Sequence, residues 1–524
     1  MQFEIQPPLL HDLVRLHGRW YPDKAAMIDE SKRLTWSAID RTSNQVANGL
    51  HAMGIGRGDS VAIIMANCVE YIEILIGIWK AGAVVIPLNL SVSDEALELM
   101  LDDAGTRAVF LTLAEYSRMS GRLASVNTLL PNGIFVYGAA DFAKARDYEA
   151  WRDGQNPLDA GIAVDENAPC NIIYSSGTTG IPKGIKHLYG RRTRAGYELT
   201  LAGRYHFGAV GLCPIGLYSN IAWATLFGSL ITGTTCVIQR SFDPHAWVSA
   251  VEKYRVTHTM MVPLQIRKVL EAPNFSTTAV SSLQAIISGG SPLFSELKQR
   301  AITELGCAII ELYGLTEGFM TTLQPEEAEG RLASVGKPVR GSDYIILDPE
   351  DQPLGWGNSG EICVRSIHWM TEYHNRPDAT AEAMYIDKDG RQWLRTGDIG
   401  RIDEDGYLFI IDRKKDMILS GSQNIYPADI EAIMVTHPAI AEVAVIGIPH
   451  EKWGETPLAL VVLKNQAEHS VDDILGWTNE RVGKRQRVSA IEIRKDLPHN
   501  PNGKILKREL RREYWVSVSP SPAA

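Results

Sequence analysis

A run of glycine and hydroxyl-bearing residues follows a short apolar stretch in the first half of the chain. The segment reads NIIYSSGTTGIPKG and spans residues 171–184. Glycines let backbone N–H groups approach phosphate oxygens, hydroxyls add donors, and Lys183 supplies a mobile positive charge. It is not a Walker A motif, because its lysine follows a proline and precedes a glycine. We predict a phosphate-binding loop formed by Ser175, Ser176, Gly177, Thr178, Thr179, Gly180 and Lys183.

Five further segments follow the phosphate loop along the chain. They read SGGSPL (288–293), YGLTEG (313–318), WLRTGDIG (393–400), GYLFIIDRKKDMILSGSQNIYPADIE (406–431) and LPHNPNGKILKRELR (497–511). In this order the six segments resemble the core motifs of the adenylate-forming superfamily, which includes acyl-CoA synthetases, firefly-type luciferases and nonribosomal-peptide adenylation domains. The resemblance implies an α/β fold. Its large N-terminal domain would hold two αβ subdomains plus a β-barrel subdomain, followed by a small mobile α+β C-terminal domain.

Lys504 is the candidate catalytic cation. A carboxylate that attacks the α-phosphate of ATP brings two anions together, so the site must supply positive charge. Lys504 stands in a Pro-Asn-Gly-Lys turn, and an ordinary lysine pKa of ~10.4 keeps it charged at neutral pH. The family's catalytic lysine, which bridges carboxylate and phosphate, occupies this position. Without that context, a solvated surface lysine would be the better interpretation.

The resemblance also implies roles for residues around the nucleotide. Glu317 would be catalytic as the Mg²⁺ ligand, since ATP sites hold this ion through few protein carboxylates. Tyr313 would stack on adenine, although it also fits a core aromatic residue. Asp398 would accept from both ribose hydroxyls with Arg413 beside it, although on its own Asp398 fits a turn residue equally well. The other predicted ATP- or AMP-binding residues are Gly290, Ser291, Pro292, Gly314 and Thr316, and Thr178 is included among the catalytic residues.

Lys415 falls where the family has its hinge residue. Hinges absorb backbone rotation at the ends of elements, and the family uses this one to swing the C-terminal domain after adenylation. Lys504 would then leave the site. Gly421 and Ser422 would enter and line the CoA channel, where a glycine suits a narrow tunnel.

One departure from the family lies near the predicted mouth of the acyl pocket. Acyl-CoA ligases of the family usually carry a Pro-x-x-His element there. The segment here reads CPIGLYSNIAW (213–223), with Leu217 or Tyr218 where the histidine would stand. The carboxylate gate and the acyl specificity therefore stay open. The residues that we expect to line the acyl pocket are Tyr218, Trp223, Gly289 and Phe319.

A second departure follows the phosphate loop. His187 comes earlier than the family's usual histidine, and we assign it no role. Arg191, Arg192 and Arg194 form a charged run, which predicts a solvated helix face.

Short apolar strands alternate with helices through most of the chain. SVAIIMAN and AVVIPLNL are predicted strands, and the helix YIEILIGIWKAG between them ends at Gly82. This alternation predicts parallel sheets with helices on both faces. After about residue 330 the pattern changes to a β-hairpin and a small α+β unit. We predict an AMP-binding domain over residues 1–412, a hinge at 413–415, a mobile domain at 416–516 and a disordered tail at 517–524.

Composition and charge are those of an ordinary soluble protein with no global attraction for nucleic acid. The 524 residues carry a formal net charge of −10 and include 6 cysteines, none spaced as a CxxC motif. The cysteines therefore favour reduced thiols and a cytoplasmic location, and the N-terminus does not resemble a secretory signal. Residues 207–239 lack charged side chains. Their proline, glycines and polar residues predict a buried helix and strand instead of a membrane span.

The predicted enzyme is an ATP-dependent carboxylate:CoA ligase of the AMP-forming acid–thiol class. It would form acyl-AMP and pyrophosphate, then acyl-CoA and AMP, with ATP, Mg²⁺ and coenzyme A. The expected substrate is a medium- or long-chain fatty acid or an aryl acid. The main alternative is a freestanding enzyme that loads a carrier protein's phosphopantetheine. A luciferase-type oxidation and a non-catalytic AMP-binding protein are disfavoured, the first by the tail sequence and the second by retention of Lys183, Glu317, Asp398 and Lys504. The sequence does not indicate an oligomeric state.

Overall fold

The computed structural model describes residues 7–138, 144–175, 183–420, 423–464, 470–484, 486–499 and 504–515. Four β-sheets, with helices packed between and around them, form the described part of the chain.

The helices and strands have the following bounds. The helices are α1 Leu10–Trp20, α2 Trp36–Ala52, α3 Val69–Lys80, α4 Asp94–Asp103, α5 Leu113–Leu123, α6 Tyr148–Asp153, α7 Tyr189–Ala202, α8 Trp223–Thr232, α9 Pro244–Tyr254, α10 Pro263–Leu270, α11 Ser295–Leu305, α12 Pro377–Glu382, α13 Pro427–Met434, α14 Val471–Arg481 and α15 Lys507–Trp515. The strands are β1 Ala25–Ile28, β2 Arg33–Thr35, β3 Ser60–Ile64, β4 Val84–Pro87, β5 Thr106–Thr112, β6 Ile134–Tyr137, β7 Arg146–Asp147, β8 Pro169–Ser175, β9 Lys183–Leu188, β10 Val210–Cys213, β11 Thr235–Ile238, β12 His258–Met261, β13 Ala285–Gly289, β14 Ala308–Gly314, β15 Met320–Leu323, β16 Lys337–Pro338, β17 Ser342–Leu347, β18 Ser359–Ser366, β19 Glu372–Tyr373, β20 Met384–Ile386, β21 Gln392–Ile402, β22 Leu408–Arg413, β23 Ile418–Ser420, β24 Gln423–Ile425, β25 Ile440–His450, β26 Gly454–Leu463 and β27 Ala490–Ile493.

The first sheet has the strand order β19-β9-β8-β4-β3-β5-β6-β7. Its strands from β8 to β7 are parallel. The two strands at the other edge, β9 and β19, are antiparallel to their neighbours. Every residue of β3 and β4 is buried, as expected for continuous apolar strands covered on both faces. The predicted strand–helix–strand unit is therefore confirmed.

The second sheet has the order β16-β15-β14-β13-β12-β10-β11-β1-β2. It is parallel from β14 to β1 and antiparallel at both edges. The uncharged segment 207–239 supplies β10, α8 and β11, so its prediction as a buried helix and strand is confirmed. Among the described residues, none of the helices combines the length and the apolar character that a bilayer span needs.

One hydrophobic core lies between the first two sheets. It joins side chains of both sheets to those of α2, α3 and α8, and its largest members include Trp36, Trp79 and Trp223. The rings of Trp79 and Trp223 meet edge to face with centroids 5.7 Å apart. Such a pair adds about 0.5–1.5 kcal/mol beyond its buried area. This packing fixes α8 next to the candidate site.

Two smaller sheets complete the fold, the third antiparallel and the fourth antiparallel except for the parallel pair β26–β27. The third has the order β17-β18-β21-β20 with β22 paired to β21, and the predicted hairpin is its β17–β18 pair. The fourth has the order β24-β23-β26-β25 with β27 paired to β26, and α13, α14 and α15 pack around it. The third sheet ends at Arg413 and the fourth begins at Ile418.

Candidate active site

Two antiparallel strands bring the two ends of the predicted phosphate loop together. Ser175, the last residue of β8, is the register partner of Lys183, the first residue of β9. In a loop that joins two such strands, backbone N–H groups can converge on an anion. The predicted residues Ser176, Gly177, Thr178, Thr179 and Gly180 lie outside the described residues.

Lys183 and Glu317 lie on opposite sides of one tyrosine. The ammonium nitrogen of Lys183 stands 5.0 Å from the ring centroid of Tyr373. The hydroxyl of Tyr373 donates to Oε1 of Glu317 at 2.7 Å. Burial raises the pKa of Tyr373, and the charge of Glu317 raises it further, so the hydroxyl stays protonated. The phosphate loop and the predicted metal ligand therefore share one site.

Glu317 is suited to hold a magnesium ion that is bound mainly by phosphate. It offers a half-buried carboxylate beside the loop, and Tyr373 orients one of its oxygens. Among the described residues, no cluster of three histidine, cysteine, aspartate or glutamate residues could cage a metal alone. A lone carboxylate is what Mg²⁺ needs when phosphate and water supply the other ligands.

Three predicted nucleotide residues form one hydrogen-bonded group. The hydroxyl of Tyr313 donates to Oδ2 of Asp398 at 2.6 Å, and Nε of Arg413 lies 2.5 Å from Oδ1 of the same carboxylate. Asp398 and Arg413 are register partners across β21 and β22. Burial raises the pKa of Tyr313 well above its usual range. The tyrosine ring is thus held in place by the carboxylate predicted to bind ribose.

Lys504, in the C-terminal part of the chain, is subject to the charges of this group. It is partly buried, and the charges that act on it come from Arg413, Asp398, Asp416 and Lys415. Burial and, after it, the charge of Arg413 lower the pKa of Lys504 to about 8, while the charge of Asp398 opposes the shift. The predicted catalytic lysine is therefore within the electrostatic range of Asp398 and Arg413.

The strand end at 288–293 is shaped by close contacts. Gly290 has φ of +88°, and a Cβ there would stand 3.0 Å from Cδ1 of Ile221. Gly289 pairs with Leu312, whose carbonyl oxygen would be 2.4 Å from a Cβ at Gly289. Ser291 and Pro292 continue from this turn.

Thr316 and Gly314 lie at the end of β14, and His187 is bound to that turn. Nε2–H of His187 donates to the Thr316 carbonyl at 2.8 Å, and Nδ1 accepts from the amide of Asn171 at 3.1 Å. Burial lowers the pKa of His187 well below its usual range, so the ring is neutral. His187, to which the sequence assigned no role, therefore ties the phosphate-loop strands to Thr316. The matching position of Asn171 on the adjacent strand was its only sequence signal.

The residues predicted for the acyl pocket fall into separate groups. Trp223 donates from Nε1 to the Leu217 carbonyl at 2.7 Å, and Leu217, at the expected histidine position, is fully buried. Tyr218 stands near Tyr71 of α3. Phe319 packs in another cluster, the core of the third sheet. The structure does not bring Phe319 together with Trp223.

The predicted solvated face of arginines is wrong for Arg192. Arg194 is exposed as expected. Arg191 is half-buried and donates to the carbonyls of Trp369 and Met370. Arg192 is 5% exposed. Neighbouring residues of a helix point about 100° apart, so α7 turns one arginine inward where it packs on α8.

The backbone around the predicted hinge is bound to the third sheet on one side of a peptide bond and to helix α15 on the other. Lys414 donates its N–H to Gly397 at 2.9 Å, and its side chain pairs with Glu361 of the third sheet. The carbonyl of the next residue, Lys415, accepts from Arg511 of α15 at 2.8 Å, and so does the Asp416 carbonyl at 2.7 Å. Gly421 and Ser422, predicted for the CoA channel, lie outside the described residues.

The fold and the site together define an enzyme that activates acids with a nucleotide. A family model described as AMP-binding enzyme matches residues 15–374, and one described as AMP-binding enzyme C-terminal domain matches residues 429–504. The chain belongs to the AMP-binding enzyme family.

Known relatives extend over nearly the whole chain. A fatty acid–[acyl-carrier-protein] ligase, ScoC of Streptomyces coeruleorubidus, is 32% identical and is covered over 97% of both chains. A feruloyl-CoA synthase of an Amycolatopsis species is 32% identical over 95% of this chain and 97% of its own. ATP-bound MatB from Rhodopseudomonas palustris has a TM-score of 0.86 at 26% identity, covering 97% of this chain and 100% of its own.

These matches confirm the family resemblance and the α/β fold with a large N-terminal and a small C-terminal domain. They also confirm the enzyme class, an AMP-forming acid–thiol ligase that uses ATP, Mg²⁺ and coenzyme A.

Proposed function

We propose that the protein joins a fatty or aryl carboxylic acid to coenzyme A in two steps. The acid first attacks the α-phosphorus of ATP, giving acyl-AMP and pyrophosphate. The thiol then takes the acyl group and releases AMP. The observation that carries this proposal is the hydrogen-bonded group of Tyr313, Asp398 and Arg413, in a chain whose Lys183 and Glu317 both contact Tyr373. The charges of Asp398 and Arg413 act on Lys504.

In the first step, Lys504 lies between the incoming carboxylate and the α-phosphate. With its pKa of about 8, the ammonium is still mainly protonated at pH 7. It stabilises negative charge that grows in the transition state, where a pre-positioned cation is most effective. Glu317 holds Mg²⁺, which when bound would neutralise phosphate charge. The phosphates would bind to Ser175, Lys183 and the loop between them.

The nucleoside lies across the Tyr313–Asp398–Arg413 group. Asp398 keeps lone pairs that can accept from the ribose hydroxyls, and Tyr313 presents its ring to adenine. The strand end Gly290, Ser291 and Pro292 forms the other wall. Gly314 and Thr316 border the phosphate side.

The second step uses a rotation at Lys415. Residues up to Lys414 are tied to the third sheet, whereas Lys415 and Asp416 are tied through Arg511 to α15. A turn there keeps both sets of bonds, but it changes the hydrogen bonds that the N–H groups of Asp416 and Met417 donate to the Arg413 carbonyl at 2.9 and 3.1 Å. This division supports a domain over residues 1–412, a hinge at 413–415 and a mobile domain from 416. The turn would remove Lys504 and bring Gly421 and Ser422 to the thiol channel.

The acyl part of the substrate would lie against Tyr218 and Trp223, beside Gly289. The relatives named for fatty acid and feruloyl substrates favour a fatty or an aryl acid. A carrier protein's phosphopantetheine is the second candidate acceptor, because one 32% identical relative is named as an acyl-carrier-protein ligase. A cytoplasmic location is supported by the cysteines, all of which are free thiols.

ATP–pyrophosphate exchange across acids of graded length and aromaticity tests the first step. We expect exchange with octanoate or an arylalkanoate to exceed exchange with acetate. AMP release from the best acid is then measured with CoA and, separately, with a phosphopantetheinylated carrier protein. If none of the acids supports exchange, the proposal is contradicted. If AMP is released with the carrier protein but not with CoA, the carrier protein is the acceptor instead of CoA.

A further inference from the structure

Arg192 is a buried cation that the two-step chemistry does not use. Only 5% of the residue is exposed. Its guanidinium carbon lies 4.7 Å from the ring centroid of Trp223 and 5.4 Å from that of Phe227. Nη2 donates to Oδ1 of Asn220 at 2.7 Å. Nε is buried and has no hydrogen-bond partner among the residues that the structure describes.

Within the part of the chain that the structure describes, no carboxylate pairs with this charge. Burial lowers the pKa of Arg192 to about 10, and the one titratable group that raises it again is the buried thiol of Cys170. The guanidinium is therefore protonated at neutral pH beside a neutral thiol. A buried cation without an anionic partner is strongly unfavourable.

Three other fully or partly buried cations of the described residues are paired with carboxylates. Lys80 lies 2.5 Å from Asp40, and Lys507 lies 2.7 Å from Glu431. Lys298, which is almost fully buried, pairs with Glu311. Arg192 departs from this pattern, and we therefore consider a bound anionic ligand as its partner.

Its position points to the bound acid. Asn220, the acceptor of Arg192, precedes Ile221, which is the side chain against Gly290. The charge of Arg192 also acts on His187, which binds the Thr316 carbonyl. Arg192 therefore contacts Trp223 of the predicted acyl pocket and, through Asn220, the segment whose Ile221 lies against Gly290.

We propose that Arg192 is the anion-binding end of the acyl pocket, and that the substrate carries a second carboxylate that pairs with it. This inference rests on the proposed function and narrows its substrate class. Arginine presents N–H groups in a planar fork that matches a carboxylate. Asn220 accepts a hydrogen bond from Nη2, and Nε has no partner among the described residues. The carbon skeleton between the two carboxylates would lie against Trp223. An acid with one carboxylate would leave the buried charge unbalanced.

Matched acids test the proposal with the unaltered protein. ATP–pyrophosphate exchange is measured with octanoate against octanedioate and with cinnamate against 4-carboxycinnamate. We expect kcat/KM to be at least about 10-fold higher for the better diacid than for its monoacid, the discrimination typical of a charge-assisted hydrogen bond. Equal or better use of both monoacids overturns this inference alone. Exchange with none of the four acids, nor with any other acid, overturns the proposed function and this inference with it.

Two substitutions separate recognition from a structural role. Asn220→Asp places a carboxylate of nearly the same shape on Arg192. It should remove the diacid preference, as the substrate's second carboxylate would then meet a neutralised cation. Arg192→Met should lower kcat/KM for the diacid about 10- to 100-fold and change that for the monoacid less than about threefold.

Arg194→Met, at an exposed position of the same helix, is the matched control and should keep the preference. A purely structural Arg192 would lower exchange with both acids of a pair equally. If Arg192→Met does not fold, the Asn220→Asp variant alone tests the proposal. A retained diacid preference in Asn220→Asp overturns it.

Discussion

The nucleotide side and the acyl side of the candidate site differ in whether their charged side chains have partners within the protein. On the nucleotide side, Asp398 is paired with Arg413 and Tyr313, and Glu317 is bound by Tyr373. On the acyl side, Arg192 is buried with an amide as its hydrogen-bond acceptor. Nucleotide binding and phosphate chemistry need groups that are already oriented, because reorganisation during the reaction is costly. A specificity site can instead leave its charge to be balanced by the correct ligand.

This difference separates two kinds of substitution. On the nucleotide side, removing one group leaves a buried partner unpaired, and every acid should be affected alike. On the acyl side, removing the charge should change the order in which acids are used. Substitutions on the nucleotide side and at Lys504 should therefore lower the rate of the first step with every acid.

The largest effect should come from Lys504→Ala. Loss of the ammonium removes charge stabilisation that exists only in the first transition state, so acyl-AMP formation should fall by about 10³-fold for every acid. Conversion of supplied acyl-AMP to acyl-CoA should be nearly unchanged. Pyrophosphate exchange measures the first step and CoA-dependent AMP release the second. Lys495→Ala, at an exposed position of the same domain, is the control, and an equal loss in both steps would show a structural role for Lys504.

Tyr373→Phe should weaken the apparent affinity for Mg²⁺. The hydroxyl of Tyr373 orients Glu317 at 2.7 Å, and partners that orient metal ligands typically contribute 10- to 100-fold in affinity. The measurement is the Mg²⁺ concentration that gives half-maximal exchange. Tyr385→Phe, on the third sheet, removes a hydroxyl that donates to the Asp351 carbonyl at 3.2 Å and should have no effect. An unchanged Mg²⁺ dependence in Tyr373→Phe would separate this tyrosine from the metal.

The pH dependence of the first step should reflect Lys504. Its pKa is lowered to about 8, so the free enzyme loses the catalytic proton as pH rises through that value. We expect kcat/KM for the exchange reaction to be level below the pKa and to fall about 10-fold per pH unit above it. Thioester formation from acyl-AMP should not fall over the same range. A first step that stays constant to pH 10 would contradict an ammonium with this pKa.

The sequence was informative wherever one segment carried both the fold and the chemistry. The alternation of apolar strands and helices predicted β3, α3 and β4, and polar residues within the uncharged segment argued correctly for α8 and β11. The motifs placed Lys183, Glu317, Asp398 and Lys504 in one family pattern. The structure brings Lys183 and Glu317 to Tyr373 and joins Asp398 to Arg413, whereas the catalytic role of Lys504 stays a prediction.

The residues that sequence reasoning missed depend on contacts between distant segments. Tyr373 reaches Glu317 because β19 pairs with β9, which joins Glu372 to Lys186. Nothing in the short segment around Tyr373 predicts that pairing. Arg192 was misassigned because a charged run is normally solvated, whereas packing of α7 against α8 buries one member of the run. Local composition cannot determine which face of a helix another helix will cover.

The smallest effect should come from Arg511→Ala. This substitution tests whether the contact between α15 and the hinge positions Lys504. Arg511 donates to the carbonyls of Lys415 and Asp416 at 2.8 and 2.7 Å. A net hydrogen bond contributes about 1 kcal/mol, so looser attachment of the hinge to α15 should slow acyl-AMP formation about fivefold through poorer placement of Lys504. The diacid-to-monoacid ratio should not change, because Arg511 binds the hinge backbone whereas Arg192 packs on Trp223 and Phe227. Arg512→Ala, at the exposed neighbouring position, is the control, and a shifted acid preference in Arg511→Ala would mean that the two halves of the site are coupled through the hinge.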